Sequence, residues 1–133
     1  IIFMFQKELG EKITSQFPSS NYGRLSILTN YKLKIITKFI VSPNCFFPKP
    51  KINSMIIHFK PKSSNHCKIK KIENLEKITN ILFSNKRKMI NKNLKKILTD
   101  NEIKKISNLK DTLRPSEINP DIYYKITALT EKN

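Results

Sequence analysis

The chain has 133 residues, 38% of them hydrophobic and 27% charged, with a formal net charge of +16. That length gives one ordinary domain or two small units, and no apolar run is long enough to span a membrane. Charge of this size on a small chain attracts polyanions, so a nucleic-acid partner is expected. Twenty-three of the 26 basic residues are lysine, with Arg24, Arg87 and Arg114 the rest. Ile and Asn are also abundant, a drift that resembles an AT-rich genome, so base composition accounts for part of the lysine excess. Cys45 and Cys67 fit no metal-binding spacing and read as reduced thiols of a cytosolic protein.

The first five residues, Ile1-Ile2-Phe3-Met4-Phe5, form a continuous apolar run. Such a run suits a strand buried on both faces, as in a parallel sheet. It is too short for a signal sequence, and it does not begin with Met, which suggests a fragment whose first element belongs to a larger sheet. Residues 6–16 carry Leu9, Ile13 and Phe17 at helical spacing. After a Pro18-Ser19-Ser20-Asn21 loop, residues 22–32 read as a second helix facing inward with Leu25, Leu28 and Tyr31. Residues 34–41 are β-branched and aromatic and form a strand. Residues 52–60 alternate and form another, so the two can pair antiparallel with the intervening loop at their tip.

Residues 62–71 are polar and basic and resemble a linker. Beyond it the pattern is helical. Residues 72–84 offer Leu75, Ile78, Ile81 and Leu82 on one side. Residues 86–98 offer Met89, Ile90, Leu94, Ile97 and Leu98 as one continuous helix. Asp100 can cap a short helix carrying Ile103 and Ile106. Arg114-Pro115-Ser116-Glu117 is a turn, and Asn119-Pro120 fits a cap followed by proline at the first helical position of a last helix, residues 120–130. The expected architecture is the tail of an α/β domain (1–61), a linker (62–71) and a small all-α domain (72–133).

Two segments carry chemistry. In Asn44-Cys45-Phe46-Phe47-Pro48-Lys49-Pro50-Lys51-Ile52-Asn53-Ser54 the prolines exclude helix and central strand, and a connection that long is usually functional. Phe46 and Phe47 on a stiff loop make a platform for a flat ligand such as a base, each stacked base being worth about 1–3 kcal/mol. The plain alternative is that they anchor the loop to the core. The second segment, residues 84–96, holds six basic residues and no acid. On a helix, Lys88, Lys92 and Lys95 share one face that can lie along phosphates; the alternative is a solvated basic face.

Other chemistries find little support. His58 and His66 have no second ligand nearby, so a metal is not expected. Glu8, Glu11, Glu73 and Glu76 read as helix-surface charges, and no nucleophile signature occurs. Gly10 and Gly23 are the only glycines, so there is no glycine-rich phosphate loop. By these criteria the chain holds no complete catalytic site.

Four motifs in order carry a resemblance: Phe5-Gln6-Lys7-Glu8, Tyr22-Gly23-Arg24-Leu25-Ser26, Phe46-Phe47-Pro48-Lys49-Pro50-Lys51-Ile52-Asn53-Ser54 and Phe83-Ser84-Asn85-Lys86-Arg87-Lys88. Together they resemble the carboxyl-terminal half of the ribosomal RNA small-subunit adenine dimethyltransferases, relatives of the erythromycin-resistance ribosomal methylases and of mitochondrial transcription factor B. The resemblance covers essentially the whole chain. It implies the last part of a Rossmann-like methyltransferase domain, contributing only the end of its sheet, followed by a helical RNA-binding domain. It implies methyl transfer from S-adenosylmethionine to the exocyclic amines of two adjacent adenosines of small-subunit rRNA, on an immature small ribosomal subunit.

By the same resemblance Phe46 is the aromatic that stacks on the target adenine, with Phe47 ranked second. Lys49 and Lys51 touch phosphates near the flipped base. Lys86, Arg87 and Lys88 correspond to the segment that grips the RNA, and Lys92 and Lys95 join them as RNA-binding candidates from the basic face described above. The family's glycine-rich cofactor loop, its ribose-binding acid and its Asn-Leu-Pro-Tyr motif are expected before Ile1, so the cofactor is bound there and this chain alone is expected to be inactive. The expected protein is a monomer of the cytoplasm or an organelle, with no membrane partner. A non-catalytic RNA- or DNA-binding relative, of the ribosome-assembly or transcription-factor type, is the alternative.

Overall fold

The computed structural model describes residues 1–63 and 68–132. Three strands, β1 (Ile2–Gln6), β2 (Leu33–Val41) and β3 (Ser54–Pro61), form an antiparallel sheet in the order β1-β3-β2. Helices α1 (Lys7–Thr14) and α2 (Arg24–Lys32) come between β1 and β2. After the sheet come α3 (Ile72–Leu82), α4 (Asn91–Leu94), α5 (Asp100–Lys104) and α6 (Pro120–Glu131). No helix among the described residues is long and apolar enough to cross a membrane.

The expected antiparallel pairing of the two strands around the proline loop is present, with Val41 opposite Ser54 at the loop and Leu33 opposite Pro61 at the far end. Between Ile35 and Thr37 the register shifts by one residue, a bulge that adds twist to an edge strand. Strand β3 alternates cleanly. Met55, Ile57 and Phe59 are buried beneath Ile13 of α1, and Phe5, Leu33 and Ile35 complete this small core.

The burial expected for the first apolar run is not found. β1 pairs antiparallel with β3, and Ile2, Phe3 and Met4 are all more than half exposed. No strand among the described residues pairs with its other edge, and of its apolar residues Phe5 packs against the small core.

The helix faces also differ from the simple periodic reading. α1 meets the sheet with Gly10, Ile13 and Thr14, while Leu9 points to solvent. The approach is so close that a Cβ on Gly10 would lie 2.7 Å from the Met55 sulfur. In α2 the fully buried residues are Ser26 and Ile27, and Leu25 is exposed.

The larger core joins α2 to the carboxyl-terminal helices. Tyr22, Ile27 and Tyr31 pack with Leu75, Leu82, Leu94, Tyr123 and Ile126, among others. The helical core therefore draws on residues well before the 62–71 segment. Within that segment Lys62 N–H donates to the Lys32 carbonyl and Ile69 N–H to the Tyr31 hydroxyl. His66 and Cys67, read above as a lone histidine and a reduced thiol, lie outside the described residues.

One expected helix breaks up. Instead of a continuous helix over 86–98, a 3-10 turn (Phe83–Asn85) is followed by a bend and a single helical turn, α4. The cause is hydrogen bonding across the chain: Ile90 N–H donates to the Leu113 carbonyl at 2.8 Å and Asn91 N–H to that of Asp111 at 3.1 Å. Those amides are thus not available to continue the helix from α3. Ile90, Leu94 and Leu98 are buried as expected, but Met89 is half exposed. At α5 the cap is Thr99 rather than Asp100: Thr99 Oγ1 accepts from Glu102 N–H, and Glu102 Oε1 accepts from Thr99 N–H. The last helix starts as expected, with Asn119 Oδ1 accepting from Ile122 N–H at 3.1 Å.

Candidate nucleic-acid interface

The proline loop closes the β2–β3 ladder. Its first part is fixed locally: Cys45 N–H donates to the Ser42 carbonyl, Phe46 N–H to that of Pro43, and Ser42 Oγ accepts from Asn44 N–H. This makes a 3-10 turn over Pro43–Cys45. Its last part is fixed to α1, because Lys7 N–H donates to the Asn53 carbonyl at 3.0 Å. The loop is thus tied at both ends.

The two aromatics differ in setting. Phe46 is half-buried, and Phe47 is wholly exposed, at 101% of its reference area. An exposed phenyl on a tethered loop has no folding role to discharge and leaves its π-face to a ligand. Lys49 and Lys51 are exposed beside them. Lys51, Ile52 and Asn53 also line an open cavity of about 390 Å³ with Gln6, Lys7 and Glu8 of the β1–α1 junction. Cys45 is a free, exposed thiol on the same loop.

The basic segment is a turn rather than a helix face. Lys86, Arg87 and Lys88 lie in the bend before α4 and are exposed. Lys92 is within α4 and Lys95 is the residue that ends it. The expected single face of Lys88, Lys92 and Lys95 therefore does not exist, since Lys88 precedes the helix. The bend is nonetheless well held. Phe83 stacks on Tyr123 with ring centres 5.6 Å apart, Ser84 Oγ donates to the Ile81 carbonyl, and Asn93 Nδ2 donates to Ser84 Oγ.

Periodicity gave no hint of the role of the Tyr22-Gly23-Arg24-Leu25-Ser26 element. Ser26 Oγ accepts from Gly23 N–H and donates to the Gly23 carbonyl, which seals the start of α2. Arg24 reaches α3, with Nε 3.3 Å from Thr79 Oγ1 and Nη2 3.1 Å from the Glu76 carbonyl. Tyr22 reaches the residue before the cap of α6, its hydroxyl donating to the Ile118 carbonyl at 2.6 Å. Burial, with nearby Tyr124 and Asp121, raises the Tyr22 pKa far above that of a free phenol; burial does the same for Tyr123 and Tyr124. These hydroxyls stay protonated and donate. The Tyr22-Gly23-Arg24-Leu25-Ser26 motif quoted above is the available signal.

Comparison with known proteins gives a consistent picture. The family model for ribosomal RNA adenine dimethylase matches residues 1–131. A ribosomal RNA small subunit methyltransferase A from Pelagibacter ubique is 42% identical over 127 residues, covering 95% of this chain and 48% of its own length. Another, from Neorickettsia sennetsu, is 33% identical over 135 residues, covering 98% of this chain and 51% of its own length. The chain thus spans about half the length of these relatives. Among solved structures, a dimethyladenosine transferase from Plasmodium falciparum superposes with a TM-score of 0.69 at 23% identity, over 94% of this chain and 54% of its own. The 23S rRNA methyltransferase ErmE does so at 0.64 and 16%, over 95% and 52%. These likenesses establish a methyltransferase fold with a small sheet and helices. The match across nearly every residue, on top of the ordered motifs and the tethered proline loop, shows that the chain belongs to the ribosomal RNA adenine dimethylase family.

Proposed function

We propose that this chain is the RNA-facing half of an enzyme that dimethylates two adjacent adenosines of small-subunit ribosomal RNA, acting as a monomer in the cytoplasm on immature small subunits. The sheet with α1 and α2, residues 1–61, is then the end of a Rossmann-like domain, and the helices of residues 72–133 are its RNA-binding partner. The observation that carries this reading is the proline loop, with one phenyl half-buried and the next wholly exposed at the tip of a two-strand ladder.

The physical task explains the loop. An adenine amine is conjugated with its ring and is a weak nucleophile, and inside a stack it is out of reach. The base must be splayed out and held. In this reading Phe46 closes over the flipped adenine, its half-buried position holding it in one orientation. Phe47 is free to stack on a neighbouring base. Lys49 and Lys51 neutralise phosphates beside it, and Lys86, Arg87 and Lys88, with Lys92 and Lys95, hold more distant RNA. Fixing the amine in one place supplies much of the rate in a transfer of this kind.

The methyl donor implied by the family is S-adenosylmethionine. In this reading neither glycine of the chain serves its seat, since Gly10 is packed against Met55 and Gly23 caps α2. This chain's part is to bind RNA and present the base.

The test is methyl transfer by the full-length protein from labelled S-adenosylmethionine to unmethylated small subunits. Dimethyladenosine at two adjacent positions is expected. RNA binding with no transfer would instead favour the non-catalytic RNA- or DNA-binding relative.

A further inference from the structure

A groove of about 270 Å³ lies where α1, the start of α2 and the basic bend meet. Three cations line it, one from each element: Lys12, Arg24 and Lys86. Ser20 and Asn21 add polar groups, Leu25 forms an apolar wall, and no carboxylate is among the lining residues. The start of α2 also brings the positive end of its dipole to the same place. Like charges brought together from separate elements repel, and an anion between them relieves that repulsion.

We propose that this groove seats one backbone phosphate of the RNA, with the attached ribose against Leu25. The proposal rests on the RNA-binding reading above and adds a specific subsite to it. Arg24 is the fixed wall, because Thr79 and the Glu76 carbonyl hold its guanidinium. Lys12 and Lys86 are the mobile partners. Lys12 stands 3.8 Å from Glu8, an exposed pair of little net strength that a phosphate can replace. The volume suits a phosphate with its sugar and is too small for a folded partner.

The consequence is geometric. Lys12 belongs to the helix packed on the sheet that carries the proline loop, and Lys86 to the exposed bend between Phe83 and Ile90 of the larger helical core. One phosphate gripped by both would set the RNA's register between the base-stacking loop and the basic bend.

The experiment is fluorescence anisotropy of a labelled small-subunit rRNA fragment, titrated with the full-length protein across a KCl series. Lys12→Gln, Lys86→Gln, the double variant and Lys125→Gln on α6 as control are compared with the unsubstituted protein, and thermal melts confirm that all remain folded. Each groove substitution is expected to weaken binding by about three- to tenfold, and the double variant to lower the salt slope by about 0.7–0.9, the value for a single phosphate. The double variant should lose less affinity than the product of the singles, because both side chains serve one site. Unchanged affinity and slope in Lys12→Gln, with Lys86→Gln still impaired, would overturn the subsite and leave the RNA-binding reading standing. No RNA binding by the unsubstituted protein would overturn both.

Discussion

The Tyr22 hydroxyl donates to the Ile118 carbonyl at 2.6 Å, joining residues 96 apart in sequence inside the larger core. Other tyrosine hydroxyls make long-range ties as well. Tyr124 OH donates to the Ile27 carbonyl at 2.8 Å, and Tyr31 OH accepts from Ile69 N–H. Tyr31 and Tyr124 also pack ring to ring, 5.0 Å between centres. The helix that follows the first loop is therefore bound to the last helix by hydrogen bonds as well as by apolar contact.

Tyr22→Phe should destabilise the fold by about 1–3 kcal/mol, because it leaves the carbonyl of almost fully buried Ile118 without its partner. Urea unfolding measures this directly. A change within experimental error would mean that the carbonyl finds another donor.

Gly10→Ala should also destabilise, although alanine is the better helix former by about 1 kcal/mol. The new Cβ would lie 2.7 Å from the Met55 sulfur and 3.0 Å from its Cβ. Met55 is buried, so the sheet has to move, and overpacking of this kind costs about 1–3 kcal/mol. Adding Met55→Ala should lessen the penalty attributable to Gly10→Ala in a double-mutant cycle.

Glu131 gives a pH-dependent clasp. Its carboxylate accepts from Lys70 N–H at 2.9 Å, Lys71 N–H at 3.1 Å and Asn74 Nδ2 at 2.6 Å, so the end of α6 caps the start of α3. Slight burial opposes the charge, but these hydrogen bonds outweigh it and hold the carboxyl below the usual carboxylate range. A lowered folded pKa gives stability that is present above the unfolded carboxylate pKa and lost as pH falls through the folded value. The protection factors of the Lys70 and Lys71 amides, which allow for the intrinsic slowing of exchange in acid, should therefore fall in that acidic window. Glu131→Gln should exchange faster than the parent at neutral pH and lose the acid-dependent step.

Replacing Lys86, Arg87 and Lys88 together should weaken RNA binding and flatten its salt dependence, since each neutralised phosphate releases counterions. The bend's backbone ties use none of these side chains, so thermal stability should stay within about 0.5 kcal/mol of the parent. An unchanged salt slope would mean that the bend is only a solvated surface.

Parts of this architecture were legible in the sequence for identifiable reasons. Strand β3 alternates because one face packs under α1, and Asn119-Pro120 announces α6 because cap and proline act locally. The helix expected over 86–98 was misread because what stops it is non-local: Leu113 and Asp111 take the amides of Ile90 and Asn91. Leu9 and Leu25 were placed inward because spacing alone cannot show which side of a short helix meets a neighbour; Gly10 and Ile27 occupy those sides instead. At the candidate site, composition identified both phenylalanines, but only coordinates separate a half-buried Phe46 from an exposed Phe47. The meeting of Lys12, Arg24 and Lys86 joins segments scattered through the chain, and no local pattern reveals it.

The most direct test of the central claim is single-turnover methylation of unmethylated small subunits by the full-length enzyme carrying Phe46→Ala, with RNA affinity measured alongside. If Phe46 holds the flipped adenine, loss of its stacking should slow turnover by about ten- to a hundredfold while affinity, which rests mainly on phosphate contacts, changes much less. Turnover equal to that of the parent enzyme would contradict the account.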